Sequence, residues 1–435
     1  MKKIIYWFRR DLRLEDNHGL FKALNSGFEV IPIFIFDKEI LGYFDDPNDP
    51  RVTFIHERLT LINESLKEYG SCLETYYDNV LDAYKEIISK HKNIEAVYTN
   101  KDYEPRTRLR DEKVKDLLFS HEIGFESFKD HVIFEEKEIV KADGKPYTVY
   151  TPYKRRWLEN LKESNYEAFK SEKHLDKLFK MKNKKIISLK EMGYQESTIK
   201  IPKAEIKKGK LKDYDKKRDF PSVDGTSLQG IHLRFGTISI RKYVREAMKI
   251  NDTWLSELIW RDFFSQILFN FPHVATKEFK EKYSAIPWRD KKECSKEFEA
   301  WKEGKTGYPM VDAGMRELNA TGHMHNRVRM VTASFLIKHL LIDWRLGERY
   351  FAKKLLDYDL ASNNGNWQWA AGCGCDAAPY FRVFNPTSQM DKFDKNREYI
   401  KKWIPEFETD DYPEPIVEHK FARERVLKLF KDHLK

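Results

Sequence analysis

The sequence predicts an α/β N-terminal domain built on a parallel, doubly wound sheet, followed by an all-α C-terminal domain. Residues 1–130 alternate short β-rich apolar runs with helix-like segments. From Phe220 onward the strand signals largely vanish, and segments with a period of about 3.6 residues dominate. The 435 residues exceed one typical domain. We therefore place a linker at 131–205 and a helical domain at 206–435.

The N-terminal domain contains four clear strand candidates with helical segments between them. The apolar runs are IIYWF from Ile4, VIPIFIF from Val30, ETYY from Glu74 and AVYT from Ala96. The intervening helical segments are expected at about 53–69, 80–92 and 109–121. This alternation predicts a parallel sheet covered on both faces. No GxGxxG or Walker motif follows any strand, so the usual sequence signs of a Rossmann dinucleotide site or an NTPase are missing.

The chain between Gly124 and Asp219 is irregular and rich in lysine, and includes the run KPYTVYTPYKRRW. We interpret it as a surface linker with short helices, since such lysine runs are more typical of solvated chain than of binding surfaces. Beyond it, WLSELIWRDFFSQILF and MVTASFLIKHLLIDW have helical periodicity. These two segments are predicted helices of the second domain.

Composition limits the cellular setting and the partners. Hydrophobic residues make up 41% of the chain, without an apolar run long enough to span a membrane. Arg9 and Arg10 interrupt the N-terminus, so we expect no signal peptide. The four cysteines lack the spacing of a zinc site, which fits a reducing cytoplasm. The net charge of +9 permits a polyanionic partner.

The segment Asp357–Pro386, which contains NNGNWQW, is the first candidate site. Its glycines and asparagines are unusual for a buried helix, so we expect an irregular structure here. Asparagine amides, close backbone approach at Gly365 and Gly372, and the Trp367 and Trp369 rings would suit a polar, planar heterocycle. A tight loop with core tryptophans explains the spacing equally well.

The second candidate is WLSELIWRDF. Spacing of three places Trp254, Glu257 and Trp260 along one helical face, with Arg261 next to it. Core packing explains the tryptophans, but a carboxylate between two indoles requires a partner. We favour a functional role for Glu257.

The third candidate is GHMHNRVRM. Asn326 and Met330 lie one helical turn apart, whereas Arg327 and Arg329 point to different sides. The two histidines of this run are two residues apart, a spacing that does not stack metal ligands on a helix. We predict no metal site here.

The fourth candidate is GTSLQGIHLRFGTIS. Thr226 and Ser227 follow a glycine just before helical sequence and could offer hydroxyls and helix N-terminal amides to a phosphate. Taken alone, this pattern is typical of an ordinary helix N-cap.

These four groups, together with the opening WFRRDLRLEDNHGL, resemble the photolyase and cryptochrome family. The stretch from Trp301 to Pro386, with WKEGKTGYPMVDAGMREL and IDWRLGERYF, is most similar to bacterial class I cyclobutane pyrimidine dimer photolyases. The resemblance implies an antenna-type α/β domain and a helical domain that binds FAD, which would be reduced and anionic in the active form. It also implies a monomeric enzyme that uses light to repair DNA containing pyrimidine dimers.

The resemblance assigns flavin contacts residue by residue. Asn363 would lie against flavin N5, Arg329 and Asp357 would pair beside the ring, and Thr226 with Ser227 would hold phosphate. The complete set implied for the flavin is Tyr214, Thr226, Ser227, Trp254, Glu257, Arg261, Asn326, Arg329, Asp357, Asp359 and Asn363.

The resemblance also assigns residues to the lesion, to DNA and to electron supply. Glu257 and Asn326 would hydrogen-bond the flipped-out dimer. Its apolar walls would be Trp260, Met330 and Trp369. The DNA contacts would be Arg218, Arg327, Arg382 and Gln389. An electron relay to oxidised FAD would run through Trp367, Trp344 and Trp288.

Several positions depart from the family pattern. Gly230 and His323 stand where many relatives have a serine and a bulky aromatic residue. Pro105 follows Tyr103 and Glu104 where relatives that use folate continue with Asn and Glu, so a second, antenna pigment stays unassigned.

Two alternative functions remain open at this point. A (6-4) photolyase would carry histidines in place of Asn326 and Met330, because its reaction needs proton transfer. A cryptochrome photoreceptor would use the same fold for signalling, often with an extended tail after the final helix.

Overall fold

The computed structural model describes residues 2–434, which form two compact units. Each unit is assembled from separate stretches of the chain. The first takes in the chain up to Ile139, Arg156–Glu205 and Gln229–Lys249. The second takes in Val140–Arg155, Ile206–Leu228 and the chain from Ile250 onward.

A five-stranded parallel sheet forms the centre of the first unit. Its strands are β1 (Lys3–Phe8), β2 (Glu29–Asp37), β3 (Glu74–Asp78), β4 (Ile94–Asn100) and β5 (Gly124–Phe128). They are ordered β3-β2-β1-β4-β5, and every neighbouring pair is parallel. The order reverses at β1, which is the arrangement of a doubly wound sheet.

Alternate side chains of the central strand pack into two different cores. Ile4, Tyr6 and Phe8 belong to one buried cluster, whereas Ile5 and Trp7 belong to another. This follows from the period of two along a strand, and it means that both faces of the sheet are covered. The predicted parallel sheet is confirmed.

The edge strand β5 was not predicted. Its sequence GFESF is short and mostly exposed, and it lacks the apolar run that marks the other strands. Because an edge strand has a neighbour on one side alone, its position needs less apolar sequence.

The α-helices follow one another along the whole chain. In chain order they are α1 (His18–Leu24), α2 (Lys38–Leu41), α3 (Pro50–Lys67), α4 (Val80–Lys90), α5 (Pro105–Phe119), α6 (Tyr150–Asn160), α7 (Glu163–Tyr166), α8 (Lys208–Leu211), α9 (Tyr214–Lys217), α10 (Gly230–Arg234), α11 (Ile240–Ile250), α12 (Asp252–Asn270), α13 (Ser295–Glu303), α14 (Pro309–Thr321), α15 (Asn326–Ser334), α16 (Trp344–Lys354), α17 (Leu360–Ala371), α18 (Pro386–Phe393), α19 (Glu398–Trp403) and α20 (His419–His433). Within 2–434, no β-strand follows β5. No helix of this described range is long and apolar enough to cross a membrane.

The helical prediction for the second unit is confirmed, with one break. WLSELIWRDFFSQILF lies within α12 as expected. MVTASFLIKHLLIDW, however, is not one helix: α15 ends at Ser334, a π-helical turn covers Phe335–His339, and Leu341 has a φ of +55° before α16 begins. Buried leucines and isoleucines continue through the break, so apolar periodicity alone could not reveal it.

Candidate active site

The NNGNWQW run lies in a regular α-helix, α17, so the predicted irregular structure is wrong for this part. The carboxylate of Asp359 accepts the backbone N–H of Ser362 at 3.1 Å and caps the helix. The helix ends at Gly372, whose φ of +91° is the left-handed conformation that favours glycine. The segment after Gly372 is irregular, as expected.

Tertiary contacts explain the unusual composition of α17. A Cβ atom on Gly365 would lie 2.2 Å from the ring of Phe264, so the helix can pack here only with glycine. Gln368 is buried and donates to the carbonyl oxygen of Val274 at 3.0 Å and to the side chain of Asn364, also at 3.0 Å. The amides therefore hold the helix in place, while other residues of α17 face a cleft.

A cleft runs beside α15 and α17. Many of the predicted site residues line it, namely Asn326, Arg329, Met330, Asp357, Asp359, Asn363, Trp367 and Trp369. Further lining residues were not predicted: Ala333, Phe351, Leu355, Tyr358, Ser362, Asn366 and Ala370. Residues from separate parts of the sequence thus meet in one place.

The cleft contains an ion pair between Arg329 and Asp357. Nη2 of Arg329 donates to both carboxylate oxygens of Asp357, at 3.1 and 3.0 Å, and its Nε donates to the carbonyl oxygen of Met324 at 2.7 Å. Both side chains are partly buried, so each charge is compensated where solvent is limited. The pair holds a fixed dipole at the edge of the cleft.

Asn363 is oriented by Glu348 of α16, a residue that the sequence did not single out. Its Nδ2 donates to Oε1 of Glu348 at 2.8 Å and to the main-chain carbonyl oxygen of Glu348 at 3.1 Å. Burial raises the pKa of Glu348, and the bond from Asn363 opposes the rise. Asn363 therefore keeps its side-chain oxygen as the acceptor available to a ligand.

The first turn of α15 separates its polar side chains as predicted. Asn326, Arg329 and Met330 line the cleft. Arg327 is not among the lining residues: its guanidinium donates to Asp219 at 2.8 Å, lies 4.3 Å from the centre of the Phe393 ring and contacts Sδ of Met330 at 3.7 Å. The helix begins after His325, whose Nδ1 accepts the backbone N–H of Arg327 at 3.2 Å.

The histidines of GHMHNRVRM are neutral in the fold. Burial lowers the pKa of His323 and of His325 to about 4. His325 serves as the N-cap of α15. In the range that the structure describes, no group of three or more His, Cys, Asp or Glu side chains could hold a metal ion.

Glu257 has the partner that its sequence context required. Its carboxylate accepts a short hydrogen bond from Nη1 of Arg218, and the guanidinium of Arg218 lies 5.6 Å from the centre of the Tyr214 ring. Burial raises the pKa of the Glu257 carboxyl, and the charge of Arg218 opposes that rise. Tyr214, Arg218 and Glu257, which the sequence assigned to the flavin, to DNA and to both flavin and lesion, thus form one cluster, which we call the Glu257 cluster.

The tryptophans of α12 have different environments. Trp254 is buried at the start of the helix, where Asn251 caps the backbone N–H of Trp254 at 3.2 Å. Trp260 is partly buried and stacks on Tyr150, with ring centroids 3.5 Å apart. Arg261 is partly buried on the same helix. These residues are not among those that line the cleft.

The N-cap interpretation of Thr226 and Ser227 is wrong. Both residues lie in an irregular, partly buried segment, and the N-cap of α10 is Gln229. The helix that follows has five residues, Gly230–Arg234. The serine and threonine pattern predicted the N-cap too early, because the N-cap, Gln229, lies two residues after Ser227.

The three predicted relay tryptophans lie in or against the core of the second unit. Trp367 is buried against Phe351 and Trp301, with ring centroids 5.0 and 6.3 Å away. Trp344 is buried, and the partly buried Trp288 packs edge-on to Phe430 at 6.2 Å. Trp301 was not predicted, although it lies in one of the matched motifs.

The remaining predicted DNA contacts follow α17. Arg382 is exposed in the irregular segment, and Gln389 is partly buried on α18. Among the described residues, the buried side-chain oxygen of Gln389 has no hydrogen-bond partner.

Comparisons with known proteins agree with this arrangement. Residues 4–173 match the family model described as DNA photolyase, and residues 254–410 match the model described as the FAD binding domain of DNA photolyase. The deoxyribodipyrimidine photo-lyase of Alkalihalophilus pseudofirmus is 35% identical, across 98% of this chain and 97% of that protein. The deoxyribodipyrimidine photo-lyase of Escherichia coli is 36% identical, across 97% of each.

Solved structures show the same fold. A bacterial class III photolyase from Agrobacterium tumefaciens has a TM-score of 0.84 at 33% identity and covers 99% of this chain and 98% of its own. An archaeal photolyase from Sulfolobus tokodaii, solved with two FAD molecules, has a TM-score of 0.80 at 32% identity and covers 99% of this chain and 100% of its own. This chain belongs to the DNA photolyase family and is an enzyme with an FAD-binding domain.

Proposed function

We propose that the protein uses light to split cyclobutane pyrimidine dimers in DNA, and that reduced FAD in the cleft supplies the electron. The observation that carries the proposal is the meeting of Asn326, Met330, Asn363 and the Arg329–Asp357 pair in one cleft. The relatives named deoxyribodipyrimidine photo-lyase support it. The class I assignment is part of the proposal, although one solved relative is a class III photolyase.

The residues of the cleft suit a flavin. Because Nδ2 of Asn363 is occupied by Glu348, the Asn363 oxygen can accept a hydrogen bond from a ring N–H, such as N5–H of reduced flavin. The Arg329–Asp357 pair offers both a donor and an acceptor to the polar edge of a heterocycle. Bound FAD, once reduced and excited by light, supplies the electron for repair.

Additional flavin contacts are proposed from the family resemblance. Asn326, Asp359 and Glu257 would contribute polar groups, whereas Trp254 and Tyr214 would contribute aromatic ones. Thr226 and Ser227 would contact phosphate through hydroxyl and main-chain groups of their irregular segment rather than through a helix terminus. Arg261 completes the proposed set.

The chain's own residues would bind and stabilise the lesion. Glu257 and Asn326 carry the polar groups that can hydrogen-bond a pyrimidine edge. Negative charge that develops on the dimer would be stabilised by the amide N–H of Asn326, and by Glu257 when its carboxyl is protonated and can donate. Met330, Trp260 and Trp369 would exclude water from its apolar faces. Stacked bases cannot reach a buried cofactor, so the lesion must leave the helix, and photolyases are themselves a standard example of enzymes that flip bases.

Cationic and amide side chains would contact the DNA strand around the lesion. The proposed contacts are Arg218, Arg327, Arg382 and Gln389. Arg218 and Arg327 are paired with Glu257 and Asp219 in this structure, so DNA binding would compete with these ion pairs. Phosphate contacts position a protein on DNA without reading sequence.

Trp367, Trp344 and Trp288 are proposed to supply electrons to oxidised flavin. Their burial in or against one core would shield a transient charge from solvent. A second chromophore is consistent with the family, since the Sulfolobus tokodaii relative holds two FAD molecules. The identity of a second chromophore in this protein stays unassigned. The carboxylate of Glu104, in the segment where the sequence departs from folate-using relatives, accepts hydrogen bonds from Arg10 and Arg234.

We further propose that the protein is a monomer.

One experiment tests the central proposal. The purified protein is checked for flavin absorption, reduced, and illuminated with an oligonucleotide that carries one thymine dimer. We expect restoration of intact thymines in the light and none in the dark. A parallel oligonucleotide with a (6-4) photoproduct should remain damaged. Repair of the second substrate alone would replace this proposal with the (6-4) activity, and repair of neither would leave signalling as the better hypothesis.

A further inference from the structure

Tyr150 and Trp260 form a close parallel ring stack in the second unit. Their centroids are 3.5 Å apart and their planes differ by 6°. Trp260 lies on α12, whereas Tyr150 is the first residue of α6, more than a hundred positions earlier in the chain. Its segment, KPYTVYTPYKRRW, stood out in the sequence without a function. The stack is therefore a tertiary contact that needs a reason.

Tyr150 is fixed through both its side chain and its main chain. Its hydroxyl donates to the carbonyl oxygen of Ser256 on α12 at 2.9 Å, and its backbone N–H donates to the carboxylate of Asp376 at 2.9 Å. One turn later, Nζ of Lys154 donates to Oγ of Ser256 at 2.5 Å. Tyr150 is 9% exposed. It is thus held against α12 and has little freedom to move.

The same contacts restrict the indole of Trp260. Tyr150 covers one of its faces, and Phe263 packs edge-on at 5.6 Å. Phe264 lies 5.4 Å from it at an angle of 26°. A tryptophan that had to be ordered upon binding would lose rotamer freedom, and this loss weakens affinity. An indole that is already fixed avoids that loss.

We propose that Tyr150 is a positioning residue that holds the Trp260 indole ready for the damaged base and so raises affinity for dimer-containing DNA. The inference rests on the proposed function, in which Trp260 contacts the dimer. Because Tyr150 acts before the reaction, its removal should weaken binding more than it slows repair at saturating DNA. The OH group would matter less than the ring.

The test compares three variants of the full-length, flavin-containing protein. Tyr150→Leu removes the ring, Tyr150→Phe keeps the ring without the hydroxyl, and Tyr147→Leu removes a neighbouring ring that packs on Tyr153 instead. Kd is measured for an oligonucleotide with one thymine dimer and for the undamaged oligonucleotide. Flavin content and melting temperature are recorded for each variant.

We expect Tyr150→Leu to raise Kd for the damaged oligonucleotide roughly 3- to 10-fold, the range of a lost aromatic pair. Its Kd for undamaged DNA and its repair rate at saturation should stay near those of the wild type. Tyr150→Phe and Tyr147→Leu should bind damaged DNA like the wild type. Equal loss of damaged and undamaged binding, or no loss in Tyr150→Leu, would overturn the inference.

A second measurement does not depend on DNA. Tryptophan is replaced by a fluorinated analogue, and the Trp260 signal is assigned in ¹⁹F NMR spectra with Trp260→Phe. The signal should shift or broaden in Tyr150→Leu and stay in place in Tyr147→Leu. If the wild type fails to bind dimers while the signal still moves, the proposed function is wrong, and what stands is that Tyr150 fixes the Trp260 indole. A Trp260 signal that does not move in Tyr150→Leu refutes the positioning role. If Tyr150→Leu folds poorly, Asp376→Ala, which removes the hydrogen bond to the Tyr150 backbone, provides the same readout.

Discussion

The side-chain amide of Asn363 donates two hydrogen bonds to Glu348, one to its carboxyl group at 2.8 Å and one to its main-chain carbonyl oxygen at 3.1 Å. A main-chain carbonyl can only accept, so this contact fixes which end of the amide is nitrogen. Glu348 is almost fully buried on α16, and Asn363 lies on α17. The two helices together therefore present the Asn363 oxygen as an acceptor.

Replacing Glu348 should disturb this orientation. Glu348→Ala leaves the main-chain bond alone to hold the amide, and loss of a buried hydrogen bond of about 1–2 kcal/mol should slow light-driven repair roughly tenfold at saturating DNA. Glu348→Gln keeps an acceptor and should stay within about twofold of the wild type. Repair rate per bound flavin is the measurement. Equal rates for Glu348→Ala and wild type would contradict the assigned role.

The Arg218–Glu257 pair predicts a pH effect. Burial raises the pKa of Glu257, and Arg218 lowers it more than the charge of Lys154 does, so Arg218→Ala removes the main opposition to burial and the carboxyl stays protonated to higher pH. Any limb of the repair profile that Glu257 controls should move to higher pH in Arg218→Ala. It should disappear in Glu257→Gln, which cannot titrate. Profiles are recorded at saturating DNA, and a limb that stays in place in Arg218→Ala would show that another group controls it.

Part of the Glu257 cluster could be predicted from sequence, and part could not. The spacing of Trp254, Glu257 and Trp260 indicated one helical face and a carboxylate in need of a partner. Its partner Arg218 is 39 residues away on a different element, and no local pattern encodes that distance. Periodicity defines faces of helices, whereas contacts between distant elements depend on tertiary packing.

The α17 helix shows the opposite kind of error. Glycine and asparagine have low helix propensity, and that led to an irregular prediction. In the structure Gly365 makes room for Phe264, and Asn364 accepts from Gln368. Packing overrode propensity here, and the same need for small and amide side chains is what makes the segment distinctive in sequence. Glu348, by contrast, left no signal, since its role depends on a neighbouring helix.

Asn326→Ala should weaken repair of thymine dimers. Asn326 is the first residue of α15 and lines the cleft, so its amide can meet the edge of a bound pyrimidine. We expect a several-fold lower repair rate, in line with the loss of one hydrogen bond of about 1 kcal/mol. Flavin content and binding of undamaged DNA serve as controls. Unchanged repair under light would show that Asn326 does not hydrogen-bond the dimer during repair.

His325 predicts how stability changes with pH. Its pKa falls from an ordinary 6.5 to about 4 in the fold, so the unfolded chain binds more protons between those values. The free energy of unfolding is therefore unaffected by His325 above pH 6.5 and falls as His325 is protonated in the unfolded chain, by about 2 kcal/mol at about pH 5. His325→Asn keeps an N-cap acceptor without the titration. The free energy of unfolding is measured with urea at neutral pH and at about pH 5. Its drop between the two pH values should be smaller in His325→Asn than in the wild type. An identical drop would assign the effect to other groups such as His323.

Gly347 tests how tightly Trp367 is enclosed. A Cβ atom at this position would lie 2.2 Å from Cη2 of Trp367 and 2.5 Å from Cδ2 of Leu336, and both of these side chains are buried. Neither can move into solvent, so Gly347→Ala should destabilise the protein by about 1–3 kcal/mol, despite the better helix propensity of alanine. The displaced indole should also slow light-driven reduction of oxidised flavin, if Trp367 is the tryptophan that supplies the electron.

Gly209→Ala is the matched control for this substitution. Gly209 is also helical, but no atom of the described residues would crowd its added Cβ within 4 Å, so the substitution should leave the melting temperature unchanged or raise it slightly. Melting temperature and photoreduction rate are measured on both variants. If the melting temperature falls and the photoreduction rate does not, Trp367 is enclosed for packing alone. If the melting temperature and the photoreduction rate both fall, the result supports a single indole that fills the core and carries the electron.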